Sequence, residues 1–328
     1  MRVFVTSKSF GRTAPDAVNL LKDNGVDVVF AAKRTMTTSE IAAEIRGYDA
    51  LIVGNDTVDD KVFAASNRLR LVHMHGTGLD AIDVAAATKR GVLVANAPGV
   101  NRNAVAELTV ALMLIAARSI DRHIEILRAG RWDRSAGIEV SGKTIGVIGL
   151  GNTGQRVVEL LSGFDVRVIG FDTRPDVTWA VSRGVELAPS ADAVFAAADF
   201  LVLALSLNPE TQGIVDARRL ALMKPSAFLV NTARGGLIDE AALCTALAEK
   251  RIAGAALDAF DPEPLAADSP LRSSGAVLTP HLAATSCEAA ANVSRVVAKN
   301  VVDVLVFGRV GCAINAAEVA KRPAAIVG

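Results

Sequence analysis

The sequence predicts an α/β protein with two doubly wound parallel-sheet domains, one inserted into the other. Two stretches of the chain alternate short apolar runs with amphipathic helical runs, which is typical of parallel sheets covered by helices on both faces. The second stretch opens with three closely spaced glycines between an apolar run and a helix. A long amphipathic helix at 285–307 has no strand after it, so we expect it to pack back on the first domain.

The composition argues against several classes of function. Lys plus Arg and Asp plus Glu number 35 each among 328 residues, so no overall field would recruit nucleic acid or an anionic membrane. The most apolar run, 108–117, is too short to span a bilayer, and residues 1–10 carry no signal-peptide core. The three cysteines show neither a disulfide framework nor zinc-ligand spacing. We therefore expect a cytoplasmic protein that acts on small molecules.

The first domain is expected to end near the turn at Pro98. Its predicted strands cover 2–7, 26–30, 49–54, 69–74 and 91–97. Its predicted helices cover 14–23, 39–46, 59–66 and 83–90. The fourth strand runs into Gly76, Thr77 and Gly78, and these glycines leave backbone N–H groups free to approach an anion. The loop is a candidate cradle for a substrate carboxylate, with an ordinary glycine turn as the equal alternative.

A helix at 101–118 marks the crossover into the second domain. Its apolar residues occupy nearly every side of the helix, so we expect the helix to be buried between domains or against another subunit. Six further strands are predicted at 144–148, 165–171, 200–205, 227–231, 252–256 and 276–279. Six strands with a glycine turn after the first are what a dinucleotide-binding sheet requires. The predicted division is therefore 1–98 plus 285–328 for the substrate domain and 99–284 for the cofactor domain.

The glycine turn has the spacing G-x-G-x-x-G. Gly149 permits a tight turn, Gly151 lets the backbone approach a pyrophosphate, and Gly154 lets the helix pack closely on the strand. The phosphates would then sit at a helix N-terminus, where free N–H groups favour negative charge. Asp172, at the end of the next strand, can accept hydrogen bonds from the ribose hydroxyls and would repel a 2′-phosphate, which favours NAD over NADP. The alternative is a glycine-rich turn that binds nothing.

Three side chains in successive strand-end loops are candidates for chemistry on a nicotinamide cofactor. His281 can hold or deliver a proton, Arg234 can bind a carboxylate through two hydrogen bonds, and Glu263, set between prolines, can orient an imidazole. Each alone could be a surface salt-bridge residue, but the carboxyl ends of parallel strands meet at one edge of a sheet. His73 and His75 form an H-x-H pair without a third ligand nearby, so we expect no metal site.

The motifs together resemble the D-isomer-specific 2-hydroxyacid dehydrogenase family, of the phosphoglycerate dehydrogenase and hydroxypyruvate reductase kind, over nearly the full chain. The residues that carry this resemblance are Gly76-Thr77-Gly78-Leu79-Asp80, Asn96-Ala97-Pro98-Gly99, Ala104-Val105-Ala106-Glu107, the glycine turn, Arg234 in Asn-Thr-Ala-Arg-Gly, Glu263 in Asp-Pro-Glu-Pro, and Thr279-Pro280-His281.

The resemblance implies a Rossmann NAD-binding domain inserted into a flavodoxin-like substrate domain. It implies that His281 is the acid/base, that Glu263 is its partner and that Arg234 anchors the substrate, with Gly76, Thr77 and Gly78 also binding it. Further cofactor contacts are implied for Thr77, Asn152, Thr153, Asp172, Thr232, Ala233 and Asp258. Members of the family are typically homodimers, which agrees with the apolar helix at 101–118.

The sequence departs from the family pattern at two points, and two other functions remain possible. Met74 stands where phosphoglycerate-specific relatives resemble one another in carrying an arginine, which argues against a phosphorylated substrate. The chain ends soon after 285–307, so we expect no regulatory domain of the kind found in longer relatives. The predicted function is NAD-dependent interconversion of a small D-2-hydroxy acid and its 2-oxo acid, such as hydroxypyruvate, glyoxylate or a phosphoglycerate-like compound. A NAD-sensing binding protein and a phosphite-oxidising enzyme remain the alternatives.

Overall fold

A computed structural model describes residues 1–33 and 35–321. Residues 322–328, which belong to the predicted segment 285–328, lie outside the described residues. The chain forms two compact units, Met1–Asn101 with the segment from Thr285 onward, and Arg102–Ala284. The observed boundary therefore falls after Asn101, where the prediction placed it after Pro98, because the helix that follows belongs wholly to the second unit.

The strands and helices follow the predicted alternation. The strands are β1 (Arg2–Val5), β2 (Asp27–Phe30), β3 (Ala50–Val53), β4 (Leu71–Met74), β5 (Leu93–Ala95), β6 (Thr144–Ile148), β7 (Arg167–Phe171), β8 (Val185–Leu187), β9 (Phe200–Leu203), β10 (Phe228–Asn231), β11 (Gly254–Leu257) and β12 (Val277–Leu278). The helices are α1 (Pro15–Asp23), α2 (Thr38–Glu44), α3 (Asp60–Ala64), α4 (Val84–Arg90), α5 (Arg102–Arg118), α6 (Ile120–Arg128), α7 (Asn152–Leu160), α8 (Val177–Ser182), α9 (Ala191–Ala197), α10 (Ala217–Leu222), α11 (Glu240–Ala248), α12 (Cys287–Leu305) and α13 (Ala316–Ala320).

The first unit is a five-stranded parallel sheet in the order β2-β1-β3-β4-β5. Successive residues of a strand point to opposite faces, so Val3 and Val5 pack with α1 and α12 while Phe4 packs with the helices of the other face. That other face is covered by α2, α3 and α4. Because both faces are buried, the strands are continuous apolar runs. As expected, the long helix α12 packs on α1.

Two histidines on and after β4 bind α12. His73 is fully buried; its Nδ1 donates to the Met74 carbonyl oxygen at 2.8 Å, and its Nε2 accepts from Asn300 Nδ2 at 3.0 Å. His75 Nε2 lies 2.9 Å from Ser294 Oγ. Both histidines therefore face α12, and their Nε2 atoms are the ones that bond to this helix. Within the described part of the chain the pair belongs to no group of three residues that could hold a metal ion.

The second unit is a seven-stranded parallel sheet in the order β12-β11-β10-β9-β6-β7-β8. The prediction of six strands was wrong, because it missed β8. This strand is a three-residue edge strand that pairs only with β7, and its middle residue, Glu186, is exposed. Such a short segment has too few positions to show an alternating pattern.

Helices cover both faces of the second sheet. One face packs against α5, α7 and α8, and the other against α9, α10 and α11. The strand order places β10, β11 and β12 side by side and parallel, so their carboxyl ends meet at one edge. The fold therefore gathers the loops after these three strands.

The helix α5 is only partly buried in the second unit. Its buried residues include Leu112 and Met113, whereas Leu108, Val110 and Ile115 are half-buried. Among the described residues no single helix is long and apolar enough to cross a membrane. The helices α5 and α6 taken together are long and apolar enough for a membrane span, but they are bent by 64° relative to each other.

Because His73 is buried and His75 is half-buried, we expect the stability of the first unit to fall at acidic pH. Burial lowers the pKa of His73 to about 4, and burial together with the nearby His73 lowers the pKa of His75 to about 4. Between pH 6.5 and 4 each of these histidines is protonated in the unfolded chain but mostly neutral in the folded chain. The free energy of unfolding should therefore fall as the pH falls through this range. The loss should be on the order of 3 kcal/mol per histidine at pH 4.

Urea unfolding at pH 7, 5.5 and 4.5 checks this expectation. His73→Gln removes one titrating group, so its stability should depend less steeply on pH than that of the wild type. Parallel curves for the two proteins would contradict the expectation.

Candidate active site

The three glycines of the turn after β6 each meet a different local requirement. Gly149 has φ +95°, and a Cβ there would lie 2.5 Å from the Ala204 carbonyl oxygen. A Cβ on Gly154 would lie 2.0 Å from the Gly149 carbonyl oxygen, so the helix could not approach the turn. A Cβ on Gly151 would meet nothing within 4 Å. The fold therefore requires glycine at the first and third positions. The second glycine, Gly151, faces open space, so a ligand can approach its backbone closely.

The helix α7 starts at this turn without a side-chain cap. Gly151 is its N-cap residue and supplies no side-chain acceptor for the first-turn N–H groups. Asn152 is exposed and Thr153 half-buried. The first-turn donors and the positive end of the helix dipole are thus available to a pyrophosphate, which fits the predicted cofactor.

Asp172 connects the glycine turn to the end of β7. Its Oδ2 accepts from the Leu150 backbone N–H at 2.8 Å, and its Oδ1 accepts from the Arg174 N–H at 2.8 Å. Each carboxylate oxygen can accept a second hydrogen bond, so a ribose hydroxyl can still bind. Besides its predicted contact with the ribose, Asp172 therefore holds the glycine turn in place.

The candidate catalytic residues lie on loops that follow three adjacent parallel strands. Arg234 follows β10, Glu263 follows β11 and His281 follows β12. The sequence predicted that these three residues lie at one edge of the sheet because each follows a strand. In the structure β10, β11 and β12 are neighbours, so the three loops lie at the same edge.

His281 and Glu263 form a close imidazole–carboxylate pair. His281 Nδ1 lies 2.7 Å from Glu263 Oε2 and 2.8 Å from Oε1, so this nitrogen carries a proton and donates it to the carboxylate. Glu263 Oε1 also accepts from the Phe260 N–H at 3.0 Å, which fixes the carboxylate. His281 Nε2 has no hydrogen-bond partner among the described residues, and the side chain is 38% exposed. The pair therefore presents Nε2 as the nitrogen that can exchange a proton with a ligand.

The loop that carries His281 is held by a buried carboxylate. Asp258 is fully buried; its Oδ1 accepts from Thr279 Oγ1 at 2.6 Å and from the Leu282 N–H at 2.9 Å, and its Oδ2 accepts from the Ala283 N–H at 2.8 Å. His281 itself has φ +49°, in the left-handed region that non-glycine residues rarely adopt. Asp258 thus fixes an uncommon backbone conformation, while its implied contact with the cofactor stays a prediction.

The loop that carries Arg234 is shaped by Asn231. The buried Asn231 side chain donates from Nδ2 to the Arg234 carbonyl oxygen at 2.8 Å and accepts at Oδ1 from the Ala233 N–H at 3.0 Å. Arg234 Nη1 donates to the Ala233 carbonyl oxygen at 2.8 Å. Gly235 packs on the backbone of Phe260, where a Cβ would lie 1.9 Å from the carbonyl carbon. The Arg234 loop and the Glu263 loop are therefore in backbone contact.

Thr232, an implied cofactor contact, is tied to α5. Thr109 Oγ1 donates to the Val105 carbonyl oxygen at 2.7 Å, so Thr232 Oγ1 donates to Thr109 Oγ1 across 2.6 Å. Sequence reasoning missed Thr109 and the bridging function of Asn231. An asparagine at a strand end is a signal for such loop hydrogen bonds, but nothing local marks Thr109.

The predicted carboxylate cradle lies in the first unit. Thr77 Oγ1 donates to the Asn101 Oδ1 at 3.0 Å, and Asn96 Nδ2 donates to the Thr77 carbonyl oxygen at 2.6 Å. The loop is thus fixed by the segment after β5. The substrate contacts predicted for Gly76, Thr77 and Gly78 stay predictions.

Comparisons with known proteins identify the family. The profile described as D-isomer specific 2-hydroxyacid dehydrogenase, NAD binding domain, matches residues 110–283. A glyoxylate reductase of Pyrococcus furiosus is 34% identical over 312 residues, which cover 92% of this chain and 91% of that protein. The chain belongs to the D-isomer specific 2-hydroxyacid dehydrogenase family. The resemblance stated from the motifs is confirmed.

Two further relatives define the extent of this family match. A D-3-phosphoglycerate dehydrogenase of Methanocaldococcus jannaschii is 42% identical over 294 residues, covering 88% of this chain and 55% of that protein. The chain thus spans about half the length of the phosphoglycerate dehydrogenases it matches. The crystal structure of a glyoxylate reductase from Paecilomyes thermophila superposes with a TM-score of 0.85 at 26% identity, covering 96% of this chain and 98% of that one. The predicted α/β fold class is confirmed, and the second unit is the NAD-binding domain of the family.

A substitution at Gly235 tests the contact between the two catalytic loops. Gly235→Ala should lower the free energy of unfolding by about 1–3 kcal/mol, because the clash is with the Phe260 backbone, which cannot rotate away. Gly236→Ala is the matched control: its Cβ would meet the movable Leu207 Cδ2 at 3.0 Å, so it should cost less. Urea unfolding measures both, and equal losses would contradict the described contact.

Proposed function

We propose that the chain is an NAD-dependent oxidoreductase that interconverts a small D-2-hydroxy acid and its 2-oxo acid. The observation that carries the proposal is the His281–Glu263 pair, held at the edge of the NAD-binding sheet beside the Arg234 loop. An imidazole with one nitrogen fixed and the other available is the proton donor and acceptor that hydride chemistry on a carbonyl requires. The family membership supports the same reaction class.

The proposed mechanism gives each side chain one task. When bound, the nicotinamide supplies or takes up the hydride at C2 of the acid. Arg234 binds the carboxylate and the 2-oxo oxygen of the substrate through its guanidinium N–H groups. During reduction His281 donates the proton on Nε2 to that oxygen, and Glu263 stabilises and orients the imidazolium through Nδ1. During oxidation, neutral His281 accepts the hydroxyl proton at Nε2.

An unphosphorylated acid such as glyoxylate or hydroxypyruvate is the favoured substrate. The name of the Pyrococcus furiosus relative, which this chain matches over 91% of its length, supports glyoxylate. Met74, which the motif resemblance places where phosphoglycerate-specific relatives carry an arginine, is buried at 7% exposure and supplies no cation for a phosphate. NADH absorbance with glyoxylate, hydroxypyruvate, 3-phosphohydroxypyruvate and, in the oxidising direction, phosphite would rank these substrates. Turnover with none of the three acids, or with phosphite alone, would contradict the proposal.

Replacing His281 tests its function as acid and base. His281→Ala should lower kcat about 10²–10⁴-fold, because proton transfer loses its donor, while NADH still binds. Stopped-flow NADH fluorescence and steady-state absorbance separate the two effects. Turnover near that of the wild type would exclude His281 as the acid/base.

Asp172 is proposed to select NAD through the ribose hydroxyls. Asp172→Ala also frees the Leu150 N–H, so it should weaken binding of both cofactors. The ratio of kcat/KM for NADH to that for NADPH isolates the ribose effect, and we expect this ratio to fall at least tenfold. An unchanged ratio, with both values lowered equally, would show that Asp172 only holds the turn.

We propose that the chain forms a homodimer through α6 and the segment after it. Ile120, Ile124 and Leu127 form an exposed stripe at i, i+4 and i+7, and Trp132 is 79% exposed. An apolar surface of this kind is typical of a protein–protein contact.

Light scattering after size exclusion tests the dimer. Leu127→Glu should shift the mass toward the monomer, because a charge would be buried in the contact. Val181→Glu, on an exposed residue of α8, is the control and should leave the mass unchanged. A monomeric wild type would contradict the proposal.

A cytoplasmic location is also proposed. Cys244, Cys287 and Cys312 are unpaired, which suits a reducing compartment. Fractionation of expressing cells would test the location, and recovery outside the cytoplasm would contradict it.

A further inference from the structure

A cleft of about 230 Å³ lies outside the carboxyl ends of β1 and β2 in the first unit. After β1 the chain turns to α1 on one face of the sheet, and after β2 it turns to α2 on the other face. Ligands of doubly wound sheets bind in crevices outside the carboxyl ends of the strands. Nothing in the proposed dehydrogenase reaction uses this cleft.

The cleft carries an excess of positive charge. Lys8, Arg12 and Lys33 are among its lining residues. Lys33 is paired with Glu40, whereas Lys8 and Arg12 are exposed and form no ion pair with any residue of the described chain. Two uncompensated cations beside one cleft attract an anion.

Two further lining residues point to a ligand with a polar and an apolar part. Thr6 is 5% exposed, and its Oγ1 is buried without a hydrogen-bond partner among the described residues. A buried hydroxyl without a partner is uncommon in a folded protein and indicates a missing partner. Phe30, at the carboxyl end of β2, packs against Phe10 at 6.4 Å between ring centroids and keeps 49% of its surface exposed.

We propose that this cleft binds a small organic anion with one planar apolar group. Its phosphate or carboxylate lies against Lys8 and Arg12 and accepts a hydrogen bond from the Thr6 hydroxyl, and its ring lies on Phe30. The volume is below the roughly 300–1,000 Å³ of pockets for drug-sized ligands, so the ligand has one ring. The site does not depend on the dehydrogenase reaction.

The test is a titration of the ¹⁵N-labelled full chain, saturated with NADH, with phenyl phosphate, benzoate and inorganic phosphate. Saturation with NADH keeps these anions from the glycine turn of the second unit. We expect saturable amide shifts at 6–8 and 30–33 with phenyl phosphate or benzoate, and binding of inorganic phosphate at least tenfold weaker. Shifts confined to the second unit, or no saturable binding, would overturn the proposal.

Matched variants locate the interactions by calorimetry. Lys8→Gln with Arg12→Gln should weaken binding at least tenfold, and Phe30→Ser should reduce the affinity for phenyl phosphate to that for inorganic phosphate. Thr6→Val should weaken binding severalfold and raise the melting temperature of the free chain, because it removes the unpartnered hydroxyl. Lys22→Gln, at the other end of α1, removes one positive charge away from the cleft and is the control; it should bind as the wild type. Equal weakening by Lys22→Gln, or none by the other variants, would overturn the site.

Discussion

The buried carboxylate of Asp258 is the interaction on which the candidate active site depends. It accepts three hydrogen bonds from the segment 279–283 and so holds His281 in a left-handed backbone conformation that its side chain would otherwise disfavour. A buried carboxylate without these donors would be strongly destabilising, so the loop and the strand end support each other. The imidazole geometry then follows from Glu263, which is itself fixed by the Phe260 N–H.

The same principle organises the neighbouring loops. Asn231 uses both ends of its amide to hold the Arg234 loop, and Gly235 brings that loop onto the Phe260 backbone. On the cofactor side, Asp172 holds the turn that contains Gly151. Hydrogen bonds between the backbone and the side chains of Asp258, Asn231 and Asp172 therefore fix the loops that carry the candidate site residues.

Much of this could be predicted from the sequence, because its signals are local. The parallel strands are apolar runs, the glycine spacing is a contiguous motif, and Arg234, Glu263 and His281 each follow a predicted strand. What could not be predicted depends on contacts between distant residues. The Asp258 bonds to 279–283 and the Thr109–Thr232 bond join segments that no local pattern relates, and β8 is too short to be marked by periodicity. The family resemblance supplied residue functions that these local patterns left open.

We propose that this arrangement reduces a 2-oxo acid to the D-2-hydroxy acid with NADH. The most direct measurement is the configuration of the product: the purified chain is incubated with NADH and hydroxypyruvate, and the glycerate formed is resolved by chiral chromatography. We expect D-glycerate in an amount equal to the NADH consumed. L-glycerate, a racemic product, or NADH consumption without glycerate would contradict it.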